Sequence, residues 1–283
     1  MSDRPLLEVE DLVIDYRGKR GRTFRAVENV SLTIRQGETL GLVGESGSGK
    51  TTIGRAIQGL VAITAGSVRI DGTPVVARSA RDRRRLAGDV QTVFQDPFGS
   101  LNPARSIGAT LEESLIIQEP QLNRRDVARR IAGELDRVGL PASSATRLPR
   151  EFSGGQRQRI AIARAIVARP RLVICDEAVS ALDLSIQAQI LNLLMELQVE
   201  RGMSYLFITH DLSVVQHVAD RIAVLQRGRL ADELAAGDTD PARWSTYTRK
   251  LFDAAPIPDP VLQRERRATF ERVLREERAH TAA

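Results

Sequence analysis

Eight residues constrain this 283-residue chain more than any others: Gly44-Glu45-Ser46-Gly47-Ser48-Gly49-Lys50-Thr51, which fits the pattern G-x-x-x-x-G-K-[ST]. Glycines lack the Cβ that would obstruct a tight loop, so successive backbone N–H groups can curl inward around an anion. A helix starting near the end of the loop adds the positive end of its dipole. A chain of this composition would carry the pattern by chance about 0.002 times. The flanks support the reading: 39–43 is a short apolar run expected as a strand, and 52–60 is expected as a helix. Lys50 is then placed to reach the β- and γ-phosphates of a nucleotide, and the Thr51 hydroxyl to ligate Mg²⁺. Only three of the 41 basic residues are lysine (Lys19, Lys50, Lys250). One of the three sits where a planar guanidinium would not do the same job.

The hydrophobic pattern around this loop predicts an α/β fold. Leu7, Val9 and Val13, then Val30, Leu32 and Ile34, alternate with period two, and Val68-Arg69-Ile70 and the Val90–Phe94 stretch are further strands. From 97 to about 150 the spacing changes to three and four, as in Ile107, Leu111 and Leu115 and in Val127, Ile131, Leu135 and Val138, which predicts a helical insertion. Beyond it, 172–175, 205–209 and 222–225 read as strands and 188–199 as a helix. Fully apolar strands alternating with helices indicate a largely parallel sheet buried on both faces. Segments 1–96 and 152–235 are expected to form the core, 97–151 a helical subdomain, and 236–283 a proline-containing tail.

Composition narrows the class. No run of about 18 apolar residues is present to span a bilayer, and the first residues show no secretory signal pattern. The single cysteine, Cys175, excludes an internal disulfide and any cysteine-ligated cluster, and its place in an apolar strand points to core packing. The formal net charge of +5 arises from 38 arginines interleaved with acids, a compositional skew rather than a nucleic-acid-binding patch.

Two further strand ends carry polar groups. Leu172-Val173-Ile174-Cys175 runs into Asp176-Glu177. Asp176 is placed to hold Mg²⁺, directly or through water, and Glu177 to position or deprotonate an attacking water. An acid pair before a helix is often no more than a cap, but the phosphate loop upstream favours the metal reading. Strand 205–209 ends in His210, at the rim where α/β folds bind ligands. His210 is there able to hydrogen-bond a γ-phosphate, whereas His217 and His280 have no such context.

A second anion-binding turn, Ser153-Gly154-Gly155-Gln156, precedes an arginine-rich amphipathic helix expected over 157–167. With the loop at 44–51 and the carboxylates at 176 and 177, it makes the chain resemble the ATP-binding subunit of an ABC transporter over roughly 6–260. That resemblance implies a P-loop NTPase (RecA-like) core with an N-terminal antiparallel β subdomain and an inserted α-helical subdomain. It implies ATP and Mg²⁺ as cofactors, held by residues 44–51 together with Thr52, Gln95 and Asp176. Tyr16 resembles the aromatic that stacks on adenine, with Phe24 as the competing choice. Gln95 resembles the glutamine that contacts Mg²⁺ and the attacking water while sensing the membrane partner. Ser153, Gly154, Gly155 and Gln156 are similar to the signature motif that closes on the ATP of a second subunit, with Phe152 in place of the commoner leucine. Ser180-Ala181-Leu182-Asp183 is similar to the loop through which the two sites communicate.

Within the family, Phe94-Gln95-Asp96-Pro97-Phe98-Gly99-Ser100-Leu101-Asn102-Pro103 resembles the importers of peptides, nickel and glutathione. So do Ile186-Gln187-Ala188-Gln189, the tail segment Tyr247-Thr248-Arg249-Lys250-Leu251 and the run Pro256-Ile257-Pro258-Asp259-Pro260. Many such proteins carry a cysteine cluster in the tail, which this chain lacks. The resemblance implies two transmembrane permease subunits, an extracytoplasmic solute-binding protein acting indirectly, and a second ATPase subunit that is a copy or a sister chain. It implies no nucleic acid and a peripheral position on the cytoplasmic face of the membrane. Short peptides are the favoured cargo, with nickel, glutathione and sugars left open. A chromosome-maintenance ATPase would insert a long coiled coil, and a ribosome-associated one would carry two heads; the chain shows neither.

Overall fold

The computed structural model describes residues 4–18, 22–76, 79–235, 237–238 and 240–254. Lys19, His280 and the segment 256–260 lie outside the described residues. The chain opens with strands β1 (Leu7–Arg17), β2 (Thr23–Ile34) and β3 (Thr39–Val43), then helix α1 (Lys50–Ile57). Next come β4 (Ala65–Ile70), β5 (Thr73–Pro74), α2 (Ala80–Asp89) and β6 (Val90–Phe94). The stretch expected to be helical holds α3 (Pro97–Ser100), α4 (Ile107–Gln118), α5 (Arg124–Arg137) and two short 3₁₀ turns. The remainder runs α6 (Gly154–Ile166), β7 (Leu172–Asp176), α7 (Leu184–Arg201), β8 (Ser204–Thr209), α8 (Leu212–Val218), β9 (Arg221–Gln226), β10 (Arg229–Ala235) and α9 (Thr246–Ala254).

Two sheets result. One, in the order β2-β1-β4-β5, is antiparallel; the other, β10-β9-β3-β8-β7-β6, is parallel from β9 to β6, with β10 added antiparallel at the edge. The apolar strands of the parallel sheet divide their side chains between two cores. Leu172 and Ile174 of β7, Leu206 and Ile208 of β8, and Leu40 and Leu42 of β3 pack with α1 and the antiparallel sheet. Val173, Cys175, Tyr205, Phe207 and Val43 pack on the other face with α6, α7 and α8. Period-two side-chain geometry with both faces covered is why these strands have no polar alternation. Cys175 is fully buried, and burial pushes its thiol pKa far up, in keeping with a packing role.

Two differences from the expected elements fall in the N-terminal part of the chain. In β1 the alternation Leu7-Val9 does not continue to Val13: the register shifts between Glu10 and Val13, with Asp11 at φ 44°, and Leu12 and Ile14 become the inward residues. One inserted residue exchanges the two faces of a strand, and composition gives little sign of it. Helix α1 begins at Lys50 and ends at Ile57 rather than spanning 52–60, because Gly59 turns left-handed at φ 66° and leaves Leu60 exposed.

The parallel pairing aligns strand ends. Val43 lies opposite Thr209, Phe94 opposite Asp176, and Asp176 opposite Ile208. The residues that follow these ends, Gly44, His210, Glu177 and Gln95, therefore share one rim of the sheet, in that order across it.

Candidate nucleotide site

The phosphate loop leaves β3 and enters α1. Gly44, Gly47 and Gly49 have φ of 152°, 78° and 108°, and a Cβ on Gly44 would stand 2.1 Å from the Leu225 carbonyl oxygen. A Cβ on Gly49 would stand 2.6 Å from the Ala26 carbonyl oxygen, so β2 and β9 crowd the loop from outside and glycine is the residue that fits. Lys50 is buried and folds back over the loop, donating from Nζ to the carbonyls of Gly44 at 2.7 Å and Glu45 at 2.9 Å. Burial pulls its pKa down, while Glu177, Asp176 and Glu45 pull it up. Ser48 Oγ is buried without a hydrogen-bond partner in the protein. Thr52 lies half-buried in the first turn of α1.

Thr51 Oγ1 donates to Asp176 Oδ1 at 3.2 Å, joining the loop to the end of β7. Burial raises the Asp176 pKa, partly offset by the Thr51 hydroxyl. Among the described residues no cluster of three or more His, Cys, Asp or Glu side chains forms a metal cage. A lone hydroxyl–carboxylate pair beside a phosphate loop nevertheless fits Mg²⁺, which keeps few protein ligands and takes the rest from phosphates and water.

Glu177 adopts φ 50° and is tied by its N–H to the Ile208 carbonyl at 2.8 Å. A left-handed conformation at a residue other than glycine costs free energy and re-aims the side chain. Here it brings Glu177 Oε1 to 3.2 Å from Nδ1 of His210 across the neighbouring strand end. Gln95 is exposed at the end of β6, one strand beyond. Tyr16 and Phe24 are directly paired across β1 and β2, so both competing aromatics share one face, with Phe24 the more exposed at 64% against 36%.

The second turn is built differently. Ser153 caps α6: its Oγ accepts from the Gln156 N–H at 3.3 Å, and Gln156 Oε1 accepts from the Ser153 N–H at 3.0 Å. The helix thus starts at Gly154, three residues earlier than the sequence predicts. A Cβ on Gly154 would meet nothing within 4 Å, whereas one on Gly155 would stand 2.7 Å from Ile186 Cγ2 of α7. Asp183 caps α7 by accepting from the Ile186 N–H at 3.0 Å, and the Ile186 side chain lies against Gly155, so the starts of α6 and α7 pack against each other. Phe152 is buried under the Arg147 guanidinium, 4.3 Å from the ring centroid.

Sequence reading misses Gln158. It is fully buried in α6, and its Nε2 donates to the Ala178 carbonyl at 2.6 Å and reaches the Phe94 carbonyl at 3.5 Å. It therefore joins the start of α6 to the residue after Glu177 and the residue before Gln95. An Arg-Gln-Arg run gives no sign of this, since a buried glutamine and a surface one look alike in sequence.

Residues 27–180 match the ABC transporter family. The oligopeptide transport ATP-binding protein OppF of Salmonella typhimurium is 45% identical over 270 residues, covering 93% of this chain and 81% of that protein. A putative peptide import ATP-binding protein of Brucella ovis is 47% identical over 268 residues, covering 94% and 83%. Among solved structures, cbiO1 from Clostridium perfringens, part of the ABC transporter complex cbiONQ, superposes with TM-score 0.74 at 25% identity, covering 89% of this chain and 94% of that one. The ATP-binding cassette MJ0796, described as a dimer in a post-hydrolysis state bound to ADP and Pi, superposes with TM-score 0.73 at 28% identity, covering 81% and 98%.

Proposed function

The chain belongs to the ABC transporter family of ATP-binding subunits, and from that premise we propose that it powers the import of short peptides through separate membrane permeases. One observation supports its energy-coupling role above the others: four neighbouring strand ends deliver Gly44, His210, Glu177 and Gln95 to a single rim. The chain binds and hydrolyses ATP. In the proposed mechanism the N–H groups of residues 47–51 take the β-phosphate, and Lys50 exchanges its two carbonyl partners for phosphate oxygens. Thr51, Asp176 and Gln95 would hold Mg²⁺, which when bound neutralises charge developing on the phosphates. Glu177 orients the water and accepts its proton, with His210 fixing the carboxylate from one side and facing the γ-phosphate from the other. Tyr16 or Phe24 stacks on the adenine. Ser153, Gly154, Gly155 and Gln156 close on the nucleotide of a second ATPase subunit, and Asp183 lies at the junction of the two sites.

Among the described residues no helix is long and apolar enough to cross a membrane. In this role the chain lies peripherally on the cytoplasmic face, against two permeases that are served from the other side by a solute-binding protein. Peptides are favoured over nickel, glutathione or sugars by the names of the relatives. Purification of tagged Glu177→Gln protein with ATP from native membranes tests this. Two permeases encoded with a peptide-binding protein are expected to co-purify. Ribosomal or DNA-maintenance proteins without a membrane partner would overturn the importer reading and leave only the ATPase.

A further inference from the structure

The nucleotide site gives no role to the tail segment Tyr247-Thr248-Arg249-Lys250-Leu251, yet the segment folds back onto the phosphate loop. It lies in α9, and the Tyr247 hydroxyl accepts a hydrogen bond from the Glu45 backbone N–H at 3.2 Å. The carbonyl of the same residue accepts from Lys50 Nζ at 2.9 Å and from the Ser48 N–H at 3.2 Å. Glu45 is thus held at its amide by the tail and at its carbonyl by the loop. The tail is firmly placed: Asp232 of β10 accepts from the Ser245 N–H at 3.0 Å and from the buried Thr248 hydroxyl. The Trp244 and Phe252 rings pack with centroids 4.6 Å apart, and the Tyr247 ring packs against the main core. Burial pushes the Tyr247 phenol up in pKa, so its oxygen stays a neutral acceptor.

We propose that Tyr247 is a positioning residue for the phosphate loop, a strap that keeps the Glu45 peptide in place when Lys50 turns from the loop carbonyls to phosphate. This rests on the nucleotide reading of residues 44–51. The strap holds the loop without touching the reacting atoms, so it acts on nucleotide affinity and leaves the chemical step alone. It also ties the loop to α9, whose Phe252 packs against Trp244, the single tryptophan of the chain.

The test uses the full chain carrying Tyr247→Phe, with Lys50→Ala and Asp232→Asn alongside. Tyr247→Phe is expected to raise the Kd and KM for ATP roughly 3- to 10-fold, the range spanned by one net hydrogen bond, with kcat and the melting temperature unchanged. ATP is expected to alter Trp244 fluorescence in the parent and not in Tyr247→Phe. Asp232→Asn, which loosens α9 itself, is expected to raise KM together with a fall in melting temperature. Parent-like affinity and fluorescence response in Tyr247→Phe, while Lys50→Ala loses ATP, would overturn the strap and leave the nucleotide reading standing. Undiminished ATP binding in Lys50→Ala would overturn both.

Discussion

The two proposed phosphate-binding elements of this chain use glycine for opposite reasons. In the loop at 44–51 glycine is demanded by the fold: Gly44, Gly47 and Gly49 all have positive φ, and at Gly44 and Gly49 the carbonyls of Leu225 and Ala26 also leave no room for a Cβ. At 153–156 the backbone is an ordinary helix start held by a capping box, and Gly154 faces open space. The loop is proposed to form its anion site within one chain. At the α6 start the unobstructed Gly154 fits the proposal that this turn approaches a nucleotide held by another subunit. Gly155 is a third case, set by packing against Ile186.

This contrast can be broken experimentally. The largest effect is expected of Gly49→Ala, where a Cβ both meets the Ala26 carbonyl and demands a disfavoured φ. Stability should fall by about 2–4 kcal/mol and ATP binding should be lost, read by thermal melts with and without nucleotide. Parent-like behaviour would show that the loop is not as constrained as its geometry states. Glu177→Gln tests the rim rather than its frame. Turnover should drop by about 10²–10⁴-fold while ATP affinity is kept; turnover at the parent rate would remove Glu177 from the proton transfer.

Smaller effects sharpen the picture. Gly155→Ala should cost about 1–3 kcal/mol as Ile186 is displaced, measured by denaturant melts. Asp176→Asn probes the electrostatic cost of the site. Burial raises the folded pKa of Asp176 above its unfolded value, so the native state binds the proton more tightly and the ionised form costs stability at neutral pH. The cost is present above the folded pKa and disappears as pH falls to the ordinary aspartate range. Asp176→Asn should therefore melt higher than the parent at pH 7, with the gain shrinking in acid, and should lose Mg²⁺-dependent turnover. An equal difference at all pH values would contradict the burial argument. Gly154→Ala should change monomer stability by no more than about 0.5 kcal/mol.

The chain shows in its residues what depends on neighbours in sequence. The eight loop residues, the strand that ends in Asp176-Glu177 and the strand that ends in His210 are contiguous patterns, and the parallel register then brings their ends together. Helix α2 lies hidden because Leu86 is its one buried residue, too little for a periodic signal, although Ser79 and Asp82 form a capping box that marks its start. The contacts of Gln158, of Tyr247 with the phosphate loop, and of the fully buried Glu134, which pairs with Arg201 across 67 residues, are invisible for a deeper reason. Each joins a polar residue to a partner far along the chain, and local composition carries no trace of that partner.

The loop at 44–51 and the turn at 153–156 are proposed to serve different nucleotides. The most direct measurement is the ATP affinity of the purified chain carrying Gly154→Asp, set beside Lys50→Ala, with turnover of the membrane complex purified through each. Parent-like ATP affinity with turnover reduced in the complex is the predicted result for Gly154→Asp. A loss of affinity in the isolated chain as large as that of Lys50→Ala would instead place both elements on one nucleotide.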